Sequence, residues 1–502
     1  MYEKEEFQLI EARTGDVRVE MPWRRKTPYM NPHVRFTVEA ASLADADHHI
    51  TAVIGKNGTG KSHLLTSIVQ TFVALEELQT AKKSSVSNLP LEYLSYKIDG
   101  QHCTVERRAN KRMELKVNQR EVDIFDFPLP KRVVALTISP FDKFPVPRPV
   151  RHSVAPASWS LYQYLGLRDR FYKASIENLL FRSLNNLFEE SENEPLRRIN
   201  IGAVFAYLGL LPKLTVVYRV RIASEVKRAL KLGQSLLFPG VIKDHDQRSR
   251  LEEMIGAGFD EHYQRDLMEL ALKKEERKCI RTTANFEQGG EVDETFKLLQ
   301  PLRRAGFLRI SGVEVTQTDG LVSDLKRASS GQLSMISALL SLASVITNAS
   351  LVLIDEPELS LHPEWQVDYV GLLLRTFARF PGCHFVIATH SPLVVSKLPP
   401  HAKVIALDRA DLPPPQDMAG QSSDYLLAEV FGSPSKGNLY VRERVSSALR
   451  LAGNGEAHTE TFAVMLADLQ KLAAELDQDD PARKLISDLA NLVQSLGQGG
   501  AK

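Results

Sequence analysis

The sequence predicts an α/β fold: a parallel-sheet core around a phosphate loop, with an antiparallel β meander, a helical insertion and a helical C-terminal region. Three observations carry this. An apolar run, Ile50 to Ile54, leads into Gly55-Lys56-Asn57-Gly58-Thr59-Gly60-Lys61-Ser62 and then into a helical pattern. A second apolar run, Leu351 to Ile354, ends in Asp355-Glu356, and a third, Phe385 to Thr389, ends in His390. Buried parallel strands that deliver polar groups at their C-terminal ends are how an α/β sheet places its chemistry.

In chain order, residues 33–54 read as two strands, and the helix after the glycine-rich loop runs to about Gln79. Glu92 to Val122 alternates apolar and polar residues around Asp99-Gly100, a hairpin turn signal, and reads as a meander. Arg132 to Ile138 is a buried strand, closed by Ser139-Pro140-Phe141-Asp142-Lys143-Phe144-Pro145. From Trp159 to Gln300 the pattern is mostly helical, with three-to-four spacing over Phe171–Glu189, Glu225–Leu237, Asp244–Gly256 and Glu261–Arg281. Strand character returns at Phe307 to Thr318. The tail carries two apolar stripes, Phe462-Met465-Leu466-Leu469-Leu472-Leu476 and Leu485-Leu489-Leu492-Val493-Leu496, separated by Asp477 to Pro481, an αα-hairpin pattern. The expected divisions are a first lobe with the glycine-rich loop and meander (1–150), a helical insertion (151–300), a second lobe with the later motifs (301–410) and a helical C-terminal docking region (411–502).

The loop fits G-x-x-x-x-G-K-[ST] in a strand–loop–helix setting. Its glycines let backbone N–H groups turn toward phosphate oxygens, and the new helix adds its positive end. Gly55, Asn57, Gly58, Thr59 and Gly60 form the cradle; Lys61 would reach the outer phosphates of ATP, and Ser62 would hold Mg²⁺. Asp355 would hold Mg²⁺, directly or through water, and Glu356 would be the general base for an attacking water. Upstream, Ala328-Ser329-Ser330-Gly331-Gln332 opens a helix, Leu333 to Val345.

Phosphate loop, insertion, Ser-Gly-Gln signature, apolar-Asp-Glu and histidine, in that order, resemble the ATP-binding-cassette (ABC) ATPases. Glu356-Pro357-Glu358-Leu359-Ser360-Leu361-His362-Pro363 and Ala388-Thr389-His390-Ser391-Pro392 are similar to the branch holding the RecF, SMC and overcoming-lysogenization-defect ATPases. The resemblance covers about 1–145 and 300–400. It implies a homo-oligomer, at least a head-to-tail dimer, in which Ser329, Ser330, Gly331 and Gln332 of one copy complete the ATP site of another. His390 would sense the γ-phosphate; the residue reading alone also allows a core histidine or strand-end cap. Ser360 and His362 would lie across the dimer seam. The family's Q-loop glutamine is missing. Its place falls in Ser139 to Pro145, where Asp142 for metal–water, Lys143 for phosphate and a plain aromatic–proline turn all stay open.

That turn and Phe431-Gly432-Ser433-Pro434-Ser435 with Asn438-Leu439-Tyr440-Val441 resemble the PtuA-like ATPase subunit of Septu-type antiphage systems, also found with some retrons. This implies a separate HNH nuclease partner gated by nucleotide. The alternative is a RecF/SMC-like DNA-binding repair or maintenance ATPase with no nuclease. No intrinsic nuclease is expected, because Asp408 and Asp411 have the wrong spacing for a toprim site.

Composition sets the remaining bounds. Across 502 residues, 43% hydrophobic and 25% charged, the chain has room for two to four compact units. A net charge of +1 gives no global pull toward nucleic acid, so any such contact needs local patches: Trp23 to Lys26, Arg107 to Arg112, or Lys273-Lys274 with Arg277-Lys278. Charge runs of this kind are also ordinary solvated faces. Cys103, Cys279 and Cys383 are widely spaced and form no C-x-x-C, which suits a reducing compartment. A charged start and the lack of a long apolar run point to a cytoplasmic chain with no membrane contact.

Overall fold

The computed structural model describes residues 5–14, 33–37, 48–81, 89–108, 113–147, 161–168, 179–180, 183, 194–256, 260–276, 278–287, 294–409 and 412–499. The chain divides into two compact units, Met1–Pro145 with Asn348–Lys502, and Val146–Thr347. The division cuts the sequence at different places from those its motifs suggest: residues 301–347 go with the insertion.

The first unit opens with β1 (Phe7–Thr14), β2 (His33–Arg35) and β3 (His48–Ile54). The phosphate-loop helix, Lys61–Ala81, follows β3. Then come β4 (Leu91–Ile98), β5 (Gln101–Arg107), β6 (Met113–Val117) and β7 (Arg120–Glu121). These form an antiparallel sheet in the order β2-β1-β4-β5-β6-β7. Asp99 and Gly100 both take positive φ, 48° and 77°, which a two-residue hairpin turn of the right twist requires. The meander is seated by aromatics: the Tyr96 ring lies 5.4 Å from Phe7 and 5.3 Å from Phe72 of the phosphate-loop helix. β8 (Val133–Thr137) is buried at every residue, as its apolar run requires.

The second unit contains β9 (Tyr162–Leu165), the helix Glu194–Tyr207 and the long β10 (Leu210–Val220). The helices Ser224–Lys231, His245–Gly256 and Glu261–Lys273 lead to β11 (Cys279–Asn285). The helix Glu294–Arg304, β12 (Leu308–Gln317), β13 (Val322–Asp324) and the signature helix Ser330–Val345 complete it. The helix expected over Asp244–Gly256 is present, the one expected over Glu225–Leu237 ends at Lys231, and the insertion adds an antiparallel sheet, β11-β10-β12-β13, that the spacing did not reveal. The helix read as Glu261–Arg281 stops at Lys273: Lys278 turns with φ 65°, and Cys279–Asn285 pairs along β10. Thr282 and Thr283 and the facing Val216 and Thr215 are β-branched, and cross-strand packing decides such segments. The Phe171–Glu189 expectation lies almost wholly outside the described residues.

The chain then returns to the first unit with β14 (Leu351–Asp355), the helix Pro363–Phe377, β15 (Cys383–Ala388), the short helix Pro392–Ser396 and β16 (Lys403–Ala406). Strands β16, β3, β15, β14 and β8 lie side by side in that order, all parallel. Their register sets Asp355 level with Thr137 and Ala388. The Gly55–Ser62 loop, Asp355, Glu356 and His390 lie at or just past the C-terminal ends of these strands.

The tail folds as the helices Leu439–Gly453, Glu460–Glu475 and Pro481–Gly499. Phe462, Leu469, Leu472 and Leu476 of the first stripe pack with Val441, Val445 and Ala448, and with Ala482, Ile486 and Leu489. The buried face of the last helix is thus Ala482-Ile486-Leu489-Val493, while Leu485 is 45% and Leu492 52% exposed. This corrects the second stripe in part: Leu489 and Val493 lie on the buried face, Leu485 and Leu492 lie off it, and the first stripe is occupied within the bundle. No helix among the described residues is long and apolar enough to cross a membrane.

Truncating a fully buried bundle side chain leaves a cavity, so Leu469→Ala should cost about 2–5 kcal/mol, and the half-exposed Leu485→Ala less than about 1 kcal/mol. Hydrogen-exchange protection across residues 439–493 measures this. Equal protection losses in the two variants would contradict the assigned faces.

Candidate nucleotide site

The loop between β3 and its helix is held by its own groups. Gly55, Gly58 and Gly60 take φ of 147°, 84° and 99°, conformations that side chains resist. Lys61 Nζ donates to Gly55 O at 2.8 Å and to Lys56 O at 3.3 Å. The Thr59 hydroxyl donates to Lys56 O at 2.9 Å. Asn57 lies exposed at the loop's crest. Lys61 is 4% exposed, and burial pulls its ammonium below the usual range, against the opposing pull of Glu356, Asp355, Asp408 and Glu358.

Across the sheet edge, Ser62 Oγ donates to Asp355 Oδ1 at 3.1 Å. Asp355 is 3% exposed. Burial pushes its carboxyl up to about 7; the Ser62 hydroxyl opposes the rise, Glu356 and Asp142 add to it, and Lys61 opposes it. A buried carboxylate beside a hydroxyl, with further negative charge near, fits a divalent cation. Mg²⁺ typically takes one or two protein oxygens and completes its shell with phosphates and water. Ser62 and Asp355 are the residues that would hold it. Asp142 closes this side: it is buried, and its side chain accepts from Phe144 N at 3.1 Å. Lys143 lies near enough to His63 to help depress that imidazole, after burial. Phe141, between them and the strand, is 85% exposed.

Glu356 sits just past β14 with φ 50°, a left-handed backbone rare for a glutamate and held by its N–H donating to Ala388 O at 2.9 Å. His390 stands between Lys61 and Glu356. Its Nδ1 is 3.4 Å from Lys61 Nζ, and its Nε2 is 3.5 Å from Glu356 Oε1. With Lys61 charged, Nδ1 is the acceptor and Nε2 carries the proton toward Glu356. Burial and then the Lys61 charge lower the His390 pKa, opposed by Glu356 and Asp408, so the ring is neutral near pH 7.

Sequence reasoning missed two residues of this cluster as members. Glu358 Oε1 accepts the backbone N–H of His390 at 2.5 Å, and burial raises its carboxyl. Asp408, one of the aspartates dismissed for its spacing, accepts Lys56 N–H at 2.9 Å. The available signal was position: Glu358 follows Glu356 by two, and Asp408 stands two residues past the strand Lys403–Ala406. Nearby, Ser391 Oγ donates to Gln366 at 2.7 Å and caps the helix that follows.

The structure brings together Gly55–Ser62, Asp355, Glu356 and His390. Ser329, Ser330, Gly331 and Gln332 lie in the second unit. There Ser329 caps the signature helix: Gln332 N donates to Ser329 Oγ and Ser329 N to Gln332 Oε1, each at 3.2 Å. Ser330 stays exposed at the helix start and Gly331 is buried. His362 caps the helix Pro363–Phe377. Of the basic clusters, Trp23–Lys26 lies outside the described residues, and so do residues 109–112 and Arg277. Arg107 and Arg108 pair with Glu92 and Glu114.

A parallel sheet that ends in a phosphate loop, a buried aspartate, a glutamate and a histidine defines a P-loop ATPase. Residues 167–396, less than half of the chain, match the domain family described as "AAA domain, putative AbiEii toxin, Type IV TA system". That match takes in the signature, Asp355, Glu356 and His390 and begins after the phosphate loop, which stands on its own geometry. A 56-residue stretch is 45% identical to "Retron Vc95 probable ATPase" of Vibrio cholerae serotype O1 biovar El Tor, covering 11% of this chain and 10% of that protein. Among solved structures, the SMC head domain from Thermotoga maritima overlaps 80% of this chain and 94% of its own at 11% identity and TM-score 0.30. RecF of the RecFOR pathway overlaps 78% and 95%, at 13% identity and TM-score 0.27. Overlap that loose assigns nothing further to this chain.

Lys61→Ala removes a charged phosphate contact worth about 1.5–3 kcal/mol, so ATP affinity should fall by at least tenfold. Calorimetric titration checks this, and unchanged affinity would refute the assignment. Asp355 gives a second test. Its carboxyl keeps its proton in the fold up to about pH 7, while the unfolded chain loses it near pH 4, so it makes the ligand-free fold less stable as pH rises through that window. Asp355→Asn should therefore be more stable than wild type at pH 8, and lose that advantage by pH 4, in urea unfolding. A pH-independent difference would contradict the buried-acid account.

Proposed function

We propose that the protein is the ATP-binding and ATP-hydrolysing subunit of an antiphage defence assembly of retron or Septu kind. In this reading it oligomerises through composite nucleotide sites and gates a separate HNH-type nuclease. The single observation that supports it most is the constellation Lys61, Ser62, Asp355, Glu356 and His390 on one sheet edge, in a chain that shares a stretch with a retron ATPase.

The chemistry follows from the residues. Backbone N–H groups of the loop and Lys61 would bind the β- and γ-phosphates. When bound, Mg²⁺ would sit at Ser62 and Asp355 and neutralise charge on the phosphates. Glu356 takes the proton of the attacking water as general base. His390, neutral and with Nε2–H turned toward Glu356 in the ligand-free fold, would turn that N–H to the γ-phosphate when ATP binds. Ser329 and Ser330, at the positive end of an exposed helix start, would supply hydroxyl and N–H groups to the γ-phosphate bound by a second copy. Two copies head to tail, with Ser360 and His362 along the seam, would then form complete sites only when ATP is present.

Glu356→Gln keeps shape and loses basicity, so phosphate release should fall roughly 10²–10⁴-fold while ATP binding persists. A Gln variant hydrolysing at the wild-type rate would sink the general-base role. Completion in trans has its own test. Mixing Lys61→Ala with Ser330→Arg protein rebuilds one good site per mixed dimer and should restore part of the hydrolysis. No recovery at any ratio, with subunit exchange demonstrated, would argue against composite sites. For the assembly itself, phage challenge with and without the neighbouring genes separates a defence role from a DNA-repair ATPase.

A further inference from the structure

We propose that Asp408 is a positioning residue for the phosphate loop: it orients the Gly55–Lys56 peptide, and through that peptide it places Lys61. The inference rests on the reading of Gly55–Ser62 as an ATP site.

Strand β16 pairs parallel with β3, with Ala406 level with Ile54, and Leu407 N donates to Ile54 O at 3.0 Å. That register carries Asp408 alongside the loop's entry. Its Oδ2 accepts the Lys56 N–H at 2.9 Å. Its Oδ1 lies 3.4 Å from the point where a Cβ on Gly55 would stand, so the carboxylate is packed against the loop's first residue. The opposite side of the same planar peptide is Gly55 O, which accepts Lys61 Nζ at 2.8 Å. Asp408 and Lys61 are thus the two hydrogen-bond partners of one rigid group, and turning that peptide moves both. The Asp408 charge also acts on Lys61 and His390, in each case against the lowering effect of burial. The Lys56 side chain is held as well, by Glu475 at 3.1 Å, so the loop's second residue is anchored at its amide and at its ammonium.

A general scaffold residue would lose stability and turnover together. A residue that sets the loop's aim should instead act on nucleotide affinity. Steady-state hydrolysis and calorimetry with ATP, on the full chain, distinguish the two. Asp408→Ala should raise KM about tenfold, the loss of one charge-assisted hydrogen bond, with kcat changed less than about threefold. Asp408→Asn, which keeps an acceptor oxygen at the same reach, should return KM to within about threefold of wild type. Should Asp408→Ala not fold, Asp408→Ser, too short to reach the Lys56 amide, takes its place with the same outcomes. An Ala or Ser variant with wild-type KM overturns the inference, and so does an Asn variant as impaired as Ala, since the bond would then be irrelevant. If Lys61→Ala abolishes ATP binding while Asp408→Ala leaves it intact, this inference alone fails. If Lys61→Ala also leaves it intact, the ATP-site reading fails first.

Discussion

The contact on which the site depends is the 3.1 Å hydrogen bond from Ser62 to Asp355. It joins the first turn of the phosphate-loop helix to the end of a strand nearly 300 residues later, and its acceptor, Asp355, is buried. Because Asp355 is buried at the sheet edge, its charge is costly there unless a cation or a proton meets it. A divalent ion bound at Ser62 and Asp355 would relieve that cost. Parallel pairing makes this possible: β14 lies between β8 and β15 in a register that sets Asp355, Thr137 and Ala388 side by side. Any slip of one residue would turn Asp355 to the other face of the sheet.

The neighbouring charges follow from the same edge. Glu356 leaves the strand in a left-handed conformation that the Ala388 carbonyl holds. His390 leaves β15 two residues later, its backbone pinned by Glu358 and its ring between Lys61 and Glu356. Lys61 is flanked by enough carboxylate to offset the cost of its burial in part. A phosphate group arriving here would meet donors already oriented, which is the form of preorganisation that lowers a barrier without reorganisation.

Much of this was legible in the sequence because it is local. A glycine-rich loop between an apolar run and a helix, or acids at the end of an apolar run, needs no knowledge of distant partners. The Asp99-Gly100 turn was readable for the same reason, since its two positive-φ positions are set by those two residues. What escaped depends on register. Asp408 has meaning only because β16 aligns with β3, and a spacing test for a different fold discarded it. Glu358 matters through a backbone N–H thirty-two positions away. The β10–β11 pairing is likewise long-range, so helical spacing over Glu261–Arg281 was extended past its true end. In the last helix, leucines at 485 and 492 drew the eye, while smaller Ala482 shares the buried face with Ile486 and Leu489.

The most direct test of the account is a structure of the protein with Mg²⁺ and a non-hydrolysable ATP analogue. The account predicts the triphosphate in the Gly55–Ser62 loop, Lys61 Nζ donating to phosphate oxygen while it keeps Gly55 O, and the ion about 2.1 Å from Ser62 Oγ and bound to Asp355 directly or through water. An analogue bound elsewhere, or an unchanged Ser62–Asp355 bond beside an empty loop at saturating ligand, would contradict it.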